Sequence, residues 1–467
     1  MSLARVWLVV ALLLPSLVAL LVPLPAVDLA YQVRAGDLIL ATGAIPRTDT
    51  FTFTVYGQPW IDQQWLAQVL LSLGYRAGGW ELLAVLRAVL VVATTGLLVL
   101  AGRLRGAGLR TASILALLAF VVSAPALALR PQLFAIVVFA ALLVLVAGRD
   151  RHPRAFLAAP LLAVLWANLH GSFVLAPPLL GYALVDDVAA RRPWRRSLAV
   201  LLAGAAATCL TPFGPGVWAY AAGIGANPVI TERVSEWQRT SPLTPTGALF
   251  YLAVLGAAVV GWRRRGHLSW ADWLWLGGLT ALGAWTERGA AWWPAGAVLV
   301  IAAALAPSGA SAPVGHGAAP TRGLRLANGA VAAVLLAATV LALPWWRPAD
   351  PLTGRGGLLT YAPTGLALAL RAQVHAGARV FVPQTWGSWF EWAVPGARYF
   401  VDSRFELYPA DVWSDLDAVT AGGAAAAGAL DRRGVEAVVL PASWPAPAGP
   451  WTTVYTDIAG SILVRAP

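Results

Sequence analysis

A chain of 467 residues that is 59% hydrophobic and only 12% charged has more apolar surface than a water-soluble core can hide. Its formal charge of +11 rests on arginines set between long apolar runs, so it is read as a statement about membrane topology and no nucleic-acid partner is expected. A single cysteine, Cys209, excludes an intramolecular disulfide and a cysteine-cluster metal site.

The apolar runs have about the length that crosses a bilayer's hydrocarbon core as a helix. They predict an α-helical polytopic membrane protein with about eleven transmembrane helices, at about 5–24, 81–101, 111–129, 131–148, 155–168, 173–190, 197–211, 246–262, 268–286, 289–306 and 324–343. Arg5 before the first run gives it the look of a secretory signal, but Leu24-Pro25-Ala26 is a poor cleavage site, and an uncleaved helix is expected.

The arginines then orient the chain. With the N-terminus cytoplasmic, the connections on that side hold sixteen Arg against Asp150, Asp186, Asp187 and Asp272, whereas the opposite connections hold eight Arg and eight acids. The tail holds nine Arg and ten acids, so the positive excess lies wholly on the cytoplasmic side. The expected location is therefore a multi-pass cell-membrane protein with an extracytoplasmic C-terminus.

Two domains are predicted: a transmembrane domain over 1–343, with outer loops 25–80 and 211–245, and a small extracytoplasmic α/β domain over 344–467. In the tail, short β-branched or aromatic runs (Arg379 to Val382, Arg398 to Val401, Val435 to Leu440, Ser461 to Val464) surround an Ala-rich helical stretch, Leu416 to Arg432. No period of about 20 to 50 residues repeats, which excludes a solenoid.

Candidate chemistry lies on the outer side. Asp28 follows the first helix, where partial desolvation would make a carboxylate a better base; capping of the next stretch is the plain alternative. Asp49 and Asp62 read as turn and cap residues with a lesser functional claim. His170, in a short turn after Asn168, could bind phosphate or satisfy backbone groups. Glu236 beside Trp237 pairs a carboxylate with a sugar-stacking ring or marks a membrane interface. Arg130, Arg288 and Arg404 could receive a phosphate or pair locally, Arg404 with Asp402 or Glu406. Trp386, Trp389 and Trp392 are a sugar platform, an interfacial belt or tail core.

Several segments carry a resemblance. Gly36 to Thr54 reads Gly-x-x-Ile-x-x-x-Gly-x-Ile-Pro-x-x-Asp-x-Phe-x-Phe-Thr, and Pro59-Trp-Ile-Asp-Gln-Gln-Trp-Leu follows. Then come Arg130-Pro-Gln-Leu-Phe134, Trp166-Ala-Asn168-Leu-His170-Gly171, Thr211-Pro-Phe-Gly214, Glu236-Trp237 and Val401-Asp402-Ser-Arg404-Phe-Glu406-Leu-Tyr408. In this order they resemble a family of bacterial multi-pass proteins with GT-C glycosyltransferase architecture.

The resemblance implies an inverting transfer of a sugar from a polyprenyl-phosphate donor to a glycan, lipid or protein acceptor, among membrane lipids. It implies catalytic acids among Asp28, Asp49 and Glu236, of which Asp28 matches the acid of the first outer loop; Leu29 follows it where many members carry a second acid. It implies substrate contacts from Arg130, Asn168, His170, Trp237, Arg288, Asp402 and Arg404. No cofactor or metal site is predicted, a carboxylate-bound divalent cation being the one kind these residues would admit. A flippase for lipid-linked glycans and a non-catalytic scaffold of the same architecture are the alternatives.

Overall fold

The computed structural model describes residues 1–307, 321–350 and 353–466. Its principal helices are α1 (Leu3–Leu21), α2 (Ala26–Thr42), α3 (Trp65–Leu104), α4 (Leu109–Ser123), α5 (Pro131–Gly148), α6 (Ala159–Leu169), α7 (Ala176–Ala189), α8 (Arg195–Ala207), α9 (Gly216–Ala226), α10 (Pro245–Arg263), α11 (Trp270–Trp285), α12 (Trp293–Ala304) and α13 (Arg322–Leu341). The tail adds α14 (Thr364–Gln373), α15 (Gln384–Ala393), α16 (Ala410–Ala421) and α17 (Gly423–Arg433). Its sheet is built from β1 (Arg379–Phe381), β2 (Arg398–Tyr399), β3 (Ala437–Pro441), β4 (Trp451–Thr456) and β5 (Gly460–Arg465).

Each of the eleven apolar segments expected from sequence corresponds to a helix. Among the described residues, seven helical stretches are long and apolar enough to cross a membrane. The remaining four, α6, α8, α11 and α12, have between 11 and 16 residues.

The chain divides into two compact units, and the first comprises Met1–Val22, Ala84–Ala226 and Thr231–Trp346. Its central element is α5, whose 18 residues are apolar on every side and mostly buried. At 1.5 Å per residue α5 is about 27 Å long, close to the thickness of a bilayer's hydrocarbon core. Charged side chains collect at its two ends. Beyond the C-terminal end Arg149 binds Asp186 at 2.5 Å and Asp187 at 2.8 Å, and Arg192 joins the same pair. Arg105 binds Asp272 at 2.9 Å, and Tyr182 donates a hydrogen bond to the same carboxylate. Arg130 stands at the N-terminal end.

Between the two ends the packing is aromatic. Phe139, Trp166 and Trp292 meet with ring centroids 5.5 to 5.7 Å apart. α11 and α12 approach at Gly296, where a Cβ would lie 2.3 Å from Leu279 Cδ1 and where Trp275 Nε1 donates to the carbonyl at 3.2 Å.

The second unit is Pro23–Leu83, Asn227–Ile230 and Arg347–Pro467. The five strands lie in the order β2-β1-β3-β5-β4, with β1 parallel to β2 and β3, and β5 antiparallel to β3 and β4. Phe381, Phe400, Val438, Leu440, Leu463, Val412 and Leu430 form the buried core against α16 and α17.

The unit boundary departs from the sequence-based division at 343/344, because the first outer loop builds part of the tail's structure. Phe53 N donates to Tyr399 O at 3.0 Å, Tyr399 N donates to Phe51 O, and Thr54 Oγ1 donates to Phe400 O, so residues 51–54 extend the sheet beside β2. Leu24–Pro25 pairs in parallel with Leu359–Thr360, and Ser388 Oγ of α15 donates to Val27 O.

Further differences have local causes. The Leu416 to Arg432 helix is two helices, because Gly422 and Gly423 both adopt positive φ (79° and 71°). α2, α14 and α15 lie outside the elements expected from sequence, since none has a long apolar run; β4 lies outside them too, although Trp451–Thr456 is a continuous run of aromatic and β-branched residues. α3 is broken at Gly78–Gly79, where Gly79 has φ 65°, and the break falls before the apolar run that the sequence identified.

α2 and α3 run side by side in parallel: Gln32 bonds to Gln64, and a Cβ on Gly36 would lie 2.1 Å from the carbonyl oxygen of Gln68. That contact leaves no room for a methyl group. Gly36→Ala is expected to cost about 1–3 kcal/mol by overpacking, read as a lowered unfolding transition of the purified protein.

Candidate functional site

In the first unit, the N-terminal end of α5 carries a compact charged group. Arg130 is the residue before Pro131, with extended backbone that starts the helix. Its Nη1 lies 2.5 Å from Glu236 Oε1, and Arg288 Nη2 lies 3.2 Å from Glu236 Oε2. One carboxylate therefore bridges two guanidiniums. Glu236 stands on a three-residue turn, Ser235–Trp237, and Arg288 on a short helical turn, Glu287–Ala290. The two turns are tied by a hydrogen bond from Glu287 N to Gln238 O at 3.0 Å, and the Arg288 guanidinium lies 5.2 Å from the Trp237 ring centroid.

Arg130, Glu236 and Arg288 line a cavity of about 110 Å³ whose wall also includes Ser123, Gln132, Thr240 and Glu287, so two guanidiniums and two carboxyl groups share it. Burial works against ionisation of Glu236, but Arg288 and Arg130 outweigh it and hold the carboxyl below its usual range. Glu236 is thus an ion-paired carboxylate, poorly suited to be the base that the sequence reading allowed.

His170 is close enough to feel both arginines. Burial, then the charges of Arg288 and Arg130, push its imidazole down to about 3. Its Nδ1 accepts from Ser172 N at 3.1 Å and lies 2.7 Å from Ser172 Oγ, so the ring caps the turn that follows it. Neutral at physiological pH, it cannot shuttle protons by titrating there. Asn168 donates Nδ2 to Val164 O at 2.8 Å and to Leu210 O at 3.0 Å, which ties the end of α6 to the end of the α8 segment. Both residues therefore serve the backbone around the site.

A second, apolar groove of about 630 Å³ lies among α4, α10 and α12, lined by residues such as Leu118, Leu252, Val260, Val298 and Ile301. Val122 lines both the groove and the charged cavity, so the two adjoin. Gln132, Ser123 and Thr240 were not singled out from sequence; Gln132 follows the Arg130-Pro131 pair and was the one with a nearby signal.

The second unit holds the other candidates. Arg404 is fully buried and binds Asp49 Oδ1 at 2.6 Å and both oxygens of Asp402 through its side chain and backbone N–H. Trp60, Phe51 and Tyr31 surround the guanidinium, with ring centroids 4.6, 5.1 and 5.7 Å from it. Asp49 further accepts from Phe51 N, Thr52 N and Thr52 Oγ1. Every lone pair of Asp49 that geometry allows is committed, which argues for a turn-forming and ion-pairing role over a catalytic one.

Burial works against the charge of Asp402, and Arg404 outweighs it, keeping this carboxyl below its usual range. Glu391 of α15 has the opposite fate. Burial, then the negative charge of Asp402 and a side-chain hydrogen bond with it, raises its carboxyl well above the usual range. Trp389 is buried beside Trp392, which meets Trp80 and Tyr75, so these rings are core rather than an open sugar platform.

Asp28 sits half-buried in the first turn of α2, where a carboxylate complements the helix N-terminus. Asp62 is more buried, with Oδ1 accepting from Gln68 Nε2 at 2.6 Å. Oδ2 of Asp62, Oε1 of Gln68 and Oε1 of Gln32 have no hydrogen-bond partners among the described residues. Burial raises the Asp62 carboxyl from 3.8 to about 7 despite the Gln68 hydrogen bond and the Arg404 charge.

No family model matches this sequence, and no curated protein matches it. Solved structures do resemble it. One is the oligosaccharyltransferase of Archaeoglobus fulgidus in the apo form, at 13% identity and TM-score 0.57, covering 94% of this chain and 69% of that one. Another is AglB of the same organism in complex with an inhibitory peptide and a dolichol-phosphate, at 14% identity and TM-score 0.60, covering 93% and 69%. A third is the arabinofuranosyltransferase AftD from Mycobacteria, at 20% identity and TM-score 0.58, covering all of this chain but 40% of AftD. At such identities the likeness is one of fold.

The Asp62 environment has a measurable consequence. Because its folded pKa is raised, the folded unit binds a proton that the unfolded chain releases, so stability falls as pH rises from about 4 to about 7. Asp62→Asn keeps an acceptor for Gln68 and cannot ionise. Its thermal unfolding, relative to the parent, is expected to improve from pH 4 to pH 8 by up to about 4 kcal/mol; a constant difference across that range would show that Asp62 is not protonated in the fold.

Proposed function

We propose that this chain is an inverting membrane glycosyltransferase that moves a sugar from a polyprenyl-phosphate donor to an acceptor hydroxyl on the extracytoplasmic side. The observation that carries the reading is the pair of guanidiniums, Arg130 and Arg288, held around one carboxylate beside a cavity that adjoins an apolar groove. A lipid phosphate matches this arrangement in both its parts. Its headgroup suits paired arginines, and its isoprenoid chain suits the groove among α4, α10 and α12. The dolichol-phosphate bound to AglB supports the same donor class.

In the transfer, the acceptor oxygen forms a bond to the anomeric carbon as the bond from that carbon to the phosphate oxygen breaks. The electron pair leaves on the phosphate, where Arg130 and Arg288 stabilise the developing charge. The acceptor's proton goes to a carboxylate, and from the sequence resemblance Asp28 is the acid we assign. Of the other acids the resemblance or the sequence nominates, Asp49 and Asp402 are committed to Arg404, Glu236 to two arginines, and Asp62 is buried. Trp237, Asn168 and His170 position the arginine pair and its surrounding turns. The distribution of arginine along the sequence supports a cytoplasmic N-terminus and an extracytoplasmic C-terminus.

The transporter alternative is less well supported, because charges stand at the two ends of α5 and not along it.

The purified protein, supplied with a panel of labelled polyprenyl-phosphate sugars and hydroxyl acceptors, is expected to release lipid phosphate and label the acceptor. Asp28→Asn should lower kcat by about 10²–10⁴-fold with little change in donor KM. Arg288→Gln should lower kcat/KM by about 10²-fold through lost charge stabilisation. Absence of transfer from every donor, or full activity in Asp28→Asn, would sink the reading.

A further inference from the structure

Both of the cavity's arginines are already engaged by Glu236, although Nε of Arg288 has no hydrogen-bond partner among the described residues. Both oxygens of Glu236 are used, one on Arg130 and one on Arg288, so the site holds an anion supplied by the chain itself. That anion closely imitates the donor on which the proposed function rests. A lipid-phosphate sugar is a phosphodiester, with two non-bridging oxygens and a single negative charge; a carboxylate presents two oxygens and the same charge. The two groups fit the same pair of guanidiniums and cannot occupy it together.

Glu236 is also the part of the group best placed to move. Its side chain is 37% exposed, against 25% for Arg130 and 30% for Arg288. Its turn is pinned around it, by Trp237 N donating to Val234 O at 2.9 Å, by Glu287 N donating to Gln238 O, and by Arg288 over the Trp237 ring. Rotation of one side chain toward solvent would clear the arginines without moving the backbone. The cavity of about 110 Å³ alongside, walled in part by Ser123, Gln132 and Thr240, gives a phosphate room to enter as the carboxylate leaves.

The charge changes during turnover. The donor carries one negative charge on its phosphate, but the lipid phosphate left after transfer is a monoester with about −1.5 to −2 at neutral pH. Two arginines would hold that product more tightly than the donor. A competing anion on the same arginines would speed its release.

We propose that Glu236 is a built-in competitor for the lipid-phosphate site: its carboxylate and the lipid phosphate alternate on Arg130 and Arg288, and its return expels the product. The ligand chemistry is a phosphate monoester or diester on an isoprenoid chain. The headgroup alone could also come from free phosphate, and the test separates these sources.

The test uses the full chain in detergent, with farnesyl phosphate, inorganic phosphate and farnesol as probes, and reads binding through the change in tryptophan fluorescence. Glu236→Gln, which keeps the side chain's size, is expected to bind farnesyl phosphate about tenfold more tightly, as removal of a competitor present nine-tenths of the time requires. Farnesol binding should not change. Inorganic phosphate should tighten by the same factor only if the headgroup suffices without the chain. Arg288→Gln should weaken farnesyl phosphate binding. Glu236→Asp, shorter by one methylene, should fall between the parent and Glu236→Gln and serves if the latter does not fold.

In turnover, Glu236→Gln should lower both kcat and KM and be more strongly inhibited by added farnesyl phosphate. Farnesyl phosphate binding that is unchanged or weaker in Glu236→Gln, at an unaltered unfolding temperature, overturns the proposal. Binding is measured without transfer, so the competitor role stands if Glu236→Gln tightens while no sugar donor reacts, and in that case only the transferase reading fails.

Discussion

The thickness of a bilayer's hydrocarbon core governs the first unit. α5 is about 27 Å long and carries no charge along its length, because an ionised side chain held in hydrocarbon has neither water nor partner to offset its desolvation. Charge is therefore driven to the two ends, and each end has solved the problem differently. Beyond the C-terminal end, Arg149, Arg192 and Arg105 are matched by Asp186, Asp187 and Asp272 in a closed network. At the N-terminal end, two arginines share one carboxylate next to a cavity. The closed network has the character of a structural anchor, and the open group leaves two guanidiniums beside a space that a ligand can enter.

The second unit depends on a buried charge of another kind. Arg404 draws Asp49 of the first loop and Asp402 of the tail into one cluster, and three aromatic rings exclude water from it. An arginine so buried holds its charge because two carboxylates outweigh the penalty of burial. The third carboxyl, Glu391, is pushed well above the usual range by burial and by the charge of Asp402, which the charge of Arg404 does not offset. Loss of the arginine would leave two ionised acids in an apolar setting, which is why such pairs are costly to break even where they add little to net stability.

These charge states narrow the chemistry. Acids that look equivalent in a list differ by environment: Glu236 and Asp402 are kept ionised by arginine, Glu391 and Asp62 are pushed toward the neutral form by burial, and Asp28 stands half-buried at a helix start. His170, which sequence alone would rank as a proton carrier, is held neutral by burial and by the same two arginines that make the phosphate site attractive. A site that collects anions in this way repels the protonation of its own histidine.

Much of this was legible in the amino-acid order. Long apolar runs predict the helices, because hydrocarbon imposes a length, and the asymmetry of arginine predicts an orientation, because charge is counted without knowing contacts. The motif residues Arg130, Glu236 and Arg288 could be nominated one at a time. Their convergence could not be, since they lie 106 and 52 positions apart in the chain and meet only when α5, the Ser235 turn and the Glu287 turn are folded together. The same is true of Asp49 and Arg404, which made a turn residue and a candidate phosphate ligand into partners. The membership of the first loop in the tail's sheet also escaped the sequence, because hydrogen bonds such as Phe53 to Tyr399 use backbone groups that every residue has. Sequence determines what each segment can tolerate around it; which oxygens and nitrogens come within 3 Å of each other, and so which carboxyl can act as a base, is decided only by the tertiary structure.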